Sequence, residues 1–170
     1  IARAGYLLVG VASVGSPQAG RAIVFYLAGY LLMTFLAFLV LIPVAKATGG
    51  DDISHFNGLG RRAPGLALAM LISMLSLAGL PFTAGFLGKF FIFEAAMREE
   101  HYLLVAVCDV TVACGFYYYL KVVRAMYWQP APADSGPVEV SALTRFAAAF
   151  LAALILIIGI FPKPILDILP

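Results

Sequence analysis

The chain has 170 residues, of which 63% are hydrophobic and only 12% are charged. That charged share is about half of the usual figure for a soluble domain, and a soluble fold of this length cannot hide so much apolar surface. The net charge of +2 comes without a basic stripe, so the composition argues against a nucleic-acid partner. The sequence therefore predicts an all-α integral membrane protein with the lipid bilayer around it.

Charge-free apolar runs predict five membrane helices, which together form a single membrane domain over residues 1–170. We expect these helices at about residues 1–14, 22–46, 64–97, 102–127 and 142–161. The second is long enough to cross a bilayer of about 30 Å. The third is too long for one straight crossing and is interrupted near residues 79–85. No alternating pattern of a membrane barrel is present in the sequence.

The Lys and Arg residues between the predicted helices indicate how the bundle is oriented. One side carries six of them: Lys46, Arg61, Arg62, Lys121, Arg124 and Arg145. The other side carries three: Arg21, Arg98 and Lys163. The positive-inside rule then predicts that the loops at about residues 47–63 and 128–141 are cytoplasmic and that the C-terminus lies outside the cytoplasm. Within the first loop, Ile53, Phe56 and Leu59 recur every three residues, which predicts a short interfacial helix.

The stretch "LAGLPFTAGFLGKFFIF", residues 77–93, places a break inside a hydrophobic segment. Pro81 removes a backbone donor, Gly79 and Gly85 relax the chain on either side, and Thr83 can satisfy a freed backbone group. Irregular backbone at membrane depth is tolerated only inside protein or beside a water-filled cavity. A discontinuous helix of this kind is common in ion-moving membrane proteins, although many membrane helices also hold a harmless proline kink.

Lys89 follows this break by a few residues, and it is the main candidate for a functional side chain. A Lys near the middle of a span costs about 2.5–3.5 kcal/mol on insertion scales. Burial disfavours the charged form of a Lys, and a group that gains and loses a proton is what a proton relay needs. The alternative is a lysine that extends along its four-carbon stem to the membrane surface.

Three other ionisable residues are weaker candidates for proton transfer. Asp109 lies seven residues into the fourth predicted helix, where an acid needs a partner inside the bundle; it belongs either to a proton path or to a structural pair. Glu94 is five residues after Lys89, about 140° around a helix, so the two do not share a face. Arg3 lies close to the start of the chain, where its depth in the membrane cannot be read.

The sequence carries no pattern for a catalytic centre, a metal or a cofactor. Cys108 and Cys114 are six residues apart in one apolar segment, and this spacing does not match CxxC metal ligands or a disulfide framework. No glycine-rich dinucleotide fingerprint is present. We therefore expect no cofactor to be bound by this chain.

Four stretches carry a resemblance to a known family. "SLAGLPFTAGFLGKFFIF" resembles the broken helix of the antiporter-like subunits of respiratory complex I, and "FYYYLKVVRAMYW" resembles the helix after it. "VFYLAGYLLMTFLAF" and "GLGRRAPGLALAMLISMLSLAG" are similar, within that group, to the subunit N family. The resemblance implies a fourteen-helix fold with inverted repeats, of which this chain is roughly the last third. It also implies that Lys89 occupies the position of the family's broken-helix lysine.

The resemblance further implies a proton-translocating subunit of NADH:quinone oxidoreductase in the bacterial inner membrane. Its partners would be other membrane subunits, and NADH, FMN, iron–sulfur clusters and quinone would be bound elsewhere in the complex. Two readings remain open: a subunit of a multisubunit cation/proton antiporter or membrane-bound hydrogenase, and a structural membrane subunit without transport.

Two residues depart from the family pattern. Arg3 replaces the usual His or Gln by a permanent cation, and Asp109 replaces an apolar residue. One hypothesis is that Asp109 compensates the charge of Arg3. The start at Ile1, without Met, indicates a piece of a longer protein.

Overall fold

The computed structural model describes residues 2–15, 18–132 and 136–167, and these residues contain helices and no strand. The helices are α1 (Ala2–Ala12), α2 (Ala19–Thr48), a 3-10 helix (Ile53–Phe56), α3 (Leu59–Arg62), α4 (Pro64–Ala78), α5 (Ala84–Arg98), α6 (Tyr102–Trp128), α7 (Ala142–Ile160) and α8 (Lys163–Leu166). The predicted all-α membrane fold is confirmed.

Three of these helices, α2, α6 and α7, are each long and apolar enough to cross a membrane. Helices α4 and α5 have 15 residues each. At 1.5 Å per residue each is about 22 Å long, which is shorter than the roughly 30 Å hydrocarbon core. The two therefore form one crossing only when taken in series.

The interruption between α4 and α5 covers residues 79–83 and is shorter than the predicted 79–85. Gly85 is accordingly inside the first turn of α5 and not in the break. The reason is that Thr83 already has the extended backbone of a helix N-cap, with φ −120° and ψ 154°. The expected loop at 47–63 begins two residues later, because α2 continues to Thr48, and it contains α3 in addition to the 3-10 helix.

Helix α2 is the central element. It packs along α4 and α5, which together form what is called here the broken crossing, and also along α1 and α7. Buried aliphatic and aromatic residues fill the space between these helices, among them Phe25, Leu36 and Ile155. A buried hydrogen bond from Ser73 Oγ to the Met33 carbonyl oxygen, 2.8 Å long, joins α4 to α2. The outer side of α6 is largely exposed.

The connecting segments gather at two opposite ends of the bundle. At one end Gly58 N donates to the Ala125 carbonyl at 3.1 Å, and Arg62 Nε donates to the Gly136 carbonyl at 3.1 Å. At the other end a ring nitrogen of His101 lies 3.2 Å from the Ala12 carbonyl oxygen. The broken crossing runs between these ends, with its interruption in the interior.

Candidate functional site

Helix α4 ends in a left-handed turn that leaves two carbonyl groups open. Gly79 has φ +94°, a conformation that a residue with a Cβ adopts at a cost. Its N–H bonds to the carbonyls of Leu75 and Ser76, and Leu80 N–H also bonds to Leu75. This is the hydrogen-bond pattern of a glycine C-cap. The carbonyls of Leu77 and Ala78 are thus left without backbone partners from the helix that they end.

Helix α5 begins directly beside the last turn of α4. Gly85 N–H donates to Ser76 Oγ at 3.1 Å, and a Cβ on Gly85 would overlap the Ser76 carbonyl oxygen. The Thr83 hydroxyl donates to the Leu80 carbonyl at 2.6 Å and so satisfies one acceptor inside the break. Gly85 is therefore needed for close approach of two helices, and the break is held by hydrogen bonds across it.

The ammonium of Lys89 occupies the end of α4. Lys89 Nζ donates to the Leu77 carbonyl at 3.1 Å and to the Ala78 carbonyl at 2.8 Å. These are the carbonyls that the helix leaves open, and they carry the negative end of its dipole. A cation placed there is stabilised by typically 0.3–1 kcal/mol, and by up to about 2 kcal/mol where it is partly buried. The Lys89 side chain thus turns inward, toward the break.

A small cavity of about 40 Å³ lies against this lysine. Its walls are mostly apolar, with Met33, Leu77 and Val112 among them, but Lys89 and six side chains with hydroxyls also border it: Tyr6, Tyr26, Tyr30, Ser76, Thr111 and Tyr119. A water needs roughly 10–15 Å³ on this measure and two or more polar partners. The cavity therefore has the size, and polar groups at its border, to hold two or three waters near Lys89.

Packing against α2 gives the depth of the site. Gly29 lies against the backbone of Ala84, and the Met33 sulfur faces Gly85. Residues 22–45 of α2 carry no charge, and Met33 is close to the centre of this run. The break and the cavity therefore lie level with the middle of the uncharged run of α2.

The other candidates from the sequence lie outside this site. Glu94 forms an exposed ion pair with Arg98, with 2.8 Å between Oε1 and Nη2. Asp109 is exposed on the outer side of α6, two residues from Thr111. Arg3 is on α1, but its side chain falls outside the described part of the structure. The structure thus brings Gly79, Thr83, Gly85 and Lys89 together and leaves Glu94 and Asp109 apart from them.

Several residues of the site were missed in the sequence. Tyr6 contributes the face of its ring, whose centre is 5.6 Å from Lys89 Nζ, and Thr111 and Ser76 contribute hydroxyls. The role of the Leu77 and Ala78 carbonyls could not be predicted from residue types, since every residue has a backbone carbonyl. Small polar residues inside apolar helices were the available signal for Ser76 and Thr111. Among the described residues, no three His, Cys, Asp or Glu side chains are grouped as metal ligands.

The profile of a protein family described as "NADH:quinone oxidoreductase/Mrp antiporter, TM" matches residues 1–115. The chain belongs to this family. The match includes the break, Lys89 and Tyr6, so the site is within the part of the chain that the family shares.

Relatives of this family resemble the chain over nearly all of its length. NADH-quinone oxidoreductase subunit N 2 of Syntrophobacter fumaroxidans is 40% identical over 99% of this chain and 35% of the relative. Subunit N of Brevibacillus brevis is 38% identical over 98% of this chain and 32% of the relative. The resemblance to subunit N is confirmed, and the chain spans about a third of the length of these relatives.

Solved structures of antiporter-like family members have the same fold. A chain of respiratory complex I from Thermus thermophilus is 34% identical with a TM-score of 0.82, covering 96% of this chain and 36% of that one. A chain of the Mrp complex from Dietzia is 22% identical with a TM-score of 0.87, covering 97% and 39%. At that lower identity the Mrp likeness concerns the fold alone.

Proposed function

We propose that this chain is part of a proton-translocating membrane subunit of NADH:quinone oxidoreductase. The observation that carries the proposal is the position of Lys89, whose ammonium bonds to the open end of α4 beside a cavity bordered by hydroxyls. The family match and the identity to subunit N support the choice of complex.

In this proposal Lys89 alternates between two protonation states. In the charged state Nζ is held by the carbonyls of Leu77 and Ala78. When an Nζ–H bond breaks, the proton passes to a water in the cavity, and the neutral amine no longer gains from the helix dipole. The side chain is then free to leave the helix end and to accept a proton from another water. The break supplies both the carbonyl partners and the room for this movement.

The remaining ionisable residues take secondary places in the proposal. Asp109 is exposed on α6, next to the buried Cys108, and is assigned to a water path or to a structural pair. Glu94 is paired with Arg98 on the surface and is a weaker candidate for proton transfer than Lys89. Arg3 keeps its charge through any cycle, because an Arg does not deprotonate in proteins.

The redox chemistry is assigned to other subunits of the complex, together with NADH, FMN, the iron–sulfur clusters and quinone. The support is that this sequence has neither a dinucleotide fingerprint nor cysteine ligand spacing. The proposed location is the bacterial inner membrane, in contact with other membrane subunits. The end with Arg62 and Gly136 is assigned to the cytoplasm and the C-terminus to the opposite side, on the distribution of Lys and Arg.

A cation/proton antiporter or membrane-bound hydrogenase subunit would use the same broken-helix lysine. Sequence identity favours the NADH:quinone oxidoreductase, since the subunit N relatives reach 40% and the Mrp chain 22%. A structural subunit without transport is the remaining alternative. It would need a static Lys89, with any water in the cavity serving only to satisfy buried polar groups.

The test is replacement of Lys89 by Ala in the full-length protein within its complex. The complex is reconstituted in liposomes, and NADH-driven acidification is followed together with NADH oxidation. Lys46→Ala, which removes an exposed lysine at the end of α2, is the matched control. We expect both rates to fall in the Lys89 variant with assembly intact and to persist in the control. Unchanged rates in the Lys89 variant would instead support a structural subunit.

A further inference from the structure

The side chain of Tyr6 connects three helices at the lysine site. Tyr6 is on α1 and is only 3% exposed. Its ring faces Lys89 of α5, with 5.6 Å from Nζ to the ring centre. Its hydroxyl lies 3.0 Å from Thr111 Oγ1 of α6. Tyr6 is therefore an aromatic partner of the ammonium.

The ring is held in this orientation by its own contacts. Thr111 Oγ1 donates its proton to the Cys108 carbonyl at 2.7 Å, so the Tyr6 hydroxyl is the donor in the bond between them. Tyr26 and Phe93 pack against the ring at centre distances of 6.1 and 6.0 Å, both at steep angles. A ring fixed at its tip and on its sides presents its face to Lys89 without further loss of side-chain entropy.

The face of an aromatic ring attracts an ammonium group and has no such attraction for a neutral amine. The ring of Tyr6 and the carbonyls of Leu77 and Ala78 therefore act on the same protonation state of Lys89. Besides Lys89, the titratable side chains that line the cavity among the described residues are tyrosines of α1, α2 and α6: Tyr6, Tyr26, Tyr30 and Tyr119. No carboxylate or imidazole of the described residues lines it, but Asp109 of α6 lies near enough to act electrostatically on Tyr6. The Arg3 side chain is outside the described part of the structure.

We propose that Tyr6 is a positioning residue that holds protonated Lys89 against the end of α4 and thereby sets the pH at which Lys89 releases its proton. This inference rests on the proposed function, because it assigns Tyr6 a part in the same proton transfer. It goes beyond that function in naming a ring on a different helix as the group that tunes the lysine.

The experiment compares Tyr6→Leu and Tyr6→Phe in the full-length protein within its complex. Proton pumping in liposomes, divided by NADH oxidation of the same variant, is measured against pH. Loss of the ring face removes an attraction that stabilises protonated Lys89. The part of the pH profile that depends on deprotonation of Lys89 therefore moves to lower pH in Tyr6→Leu. A cation–π contact of about 0.5–2 kcal/mol corresponds to a shift of roughly 0.4–1.5 pH units. Tyr6→Phe keeps the ring and is expected to keep the midpoint of the parent.

The matched control is Phe25→Leu, a buried aromatic of α2 that packs on Phe91 with 5.2 Å between ring centres and does not line the cavity. It makes the same kind of truncation, and its midpoint is expected to equal the parent's. If Tyr6→Leu does not assemble, Tyr6→Met is measured in the same way, because a flexible Met side chain fills irregular gaps.

Two results would overturn the inference. One is a Tyr6→Leu variant that still pumps and whose pH profile has the same midpoint as the parent. The other is a Tyr6→Phe variant whose midpoint moves as far as that of Tyr6→Leu. Failure of the proposed function is distinguishable, because in that case Lys89→Ala itself retains pumping. A Lys89→Ala variant that stops pumping beside an unshifted Tyr6→Leu variant leaves the function standing and removes only the role of Tyr6.

Discussion

At the residue scale, the ammonium of Lys89 is held by backbone carbonyls at a helix end. Breaking a buried ion pair by neutralising one member is costly, typically 3–5 kcal/mol, because the other charge stays behind unpaired. The carbonyls of Leu77 and Ala78 are dipoles, and they leave no uncompensated charge when the lysine loses its proton. Such a setting suits the proposed role of Lys89, in which the side chain is protonated and deprotonated repeatedly.

Gly79 provides a test of this geometry, because a Cβ at that position would lie 2.8 Å from Lys89 Nζ. We expect Gly79→Ala to displace the ammonium from the helix end, in addition to the roughly 1–2 kcal/mol cost of a left-handed alanine. Pumping per NADH oxidised should fall several-fold in reconstituted complex.

The control for Gly79→Ala is Gly49→Ala at the end of α2. Gly49 also has a positive φ, +77°, but a Cβ there meets nothing within 4 Å. It carries the backbone cost alone, so we expect lower thermal stability and normal pumping. If both variants lost pumping equally, the effect would come from backbone strain and not from the lysine.

At the scale of whole helices, three contacts hold the broken crossing in place: its packing on α2, the overlap of α4 with α5, and its packing on α7. Helix α7 approaches the break so closely that a Cβ on its buried Gly159 would overlap the Phe82 carbonyl oxygen and the Thr83 backbone. Phe82 itself has φ +68°, a strained conformation for a non-glycine residue. The contact with α7 is therefore part of what fixes the conformation of the break.

Gly159→Ala is expected to push α7 away from the break. Overpacking of a closed interface costs typically 1–3 kcal/mol, so the amount of assembled complex and its midpoint of thermal inactivation should both decrease. Native gels of solubilised membranes and heating curves provide these measurements.

Gly65→Ala in the first turn of α4 is the comparison, because its added Cβ meets nothing within 4 Å. An alanine in a helix is about 0.5–1 kcal/mol more favourable than glycine, so this variant should be at least as stable as the parent. Equal stability of the two variants would contradict the tight contact of α7 with the break.

Thr83 contributes to the break through one hydrogen bond. Thr83→Val keeps the shape but leaves the Leu80 carbonyl without its 2.6 Å donor, at a cost of about 1–3 kcal/mol. We expect a lower temperature of inactivation for Thr83→Val and recovery in Thr83→Ser, which restores the hydroxyl. A Thr83→Val variant as stable as the parent would mean that water replaces the hydroxyl at no cost.

Hydrophobic runs and the Gly–Pro pattern were enough to predict the helical class and the presence of an interruption. The predicted interruption near residues 79–85 is confirmed, and the structure places it at residues 79–83. The sequence could not show that Gly85 belongs to α5, because a glycine there can provide either backbone freedom or close approach of two helices, and only the packing distinguishes these. The partners of Lys89 could not be predicted at all. They are backbone atoms of α4 and a ring of α1, and their meeting depends on how far α5 overlaps α4.

The bundle as a whole has two ends that differ in charge. Arg62 and Gly136 are in contact at one end, and Leu166 of α8 borders the same pocket as Arg21 at the other. The six Lys and Arg residues assigned above to the cytoplasmic side lie in the loop or in the helix ends at the first end. Since positive residues are retained on the cytoplasmic side during insertion, this asymmetry predicts that the first end is cytoplasmic.

Labelling of single cysteines tests this sidedness in membranes that contain the full-length protein. Cys108 and Cys114 are first replaced by alanine, and exposed Gly136 or exposed Asp167 is then changed to cysteine. We expect a membrane-impermeant maleimide to label Gly136→Cys in inside-out vesicles only and Asp167→Cys in right-side-out vesicles only. The opposite pattern would invert the bundle, and labelling of both from one side would contradict an odd number of crossings between them. Because α7 separates the two positions and is 19 residues long, about 28 Å, a single crossing between them is what its length allows.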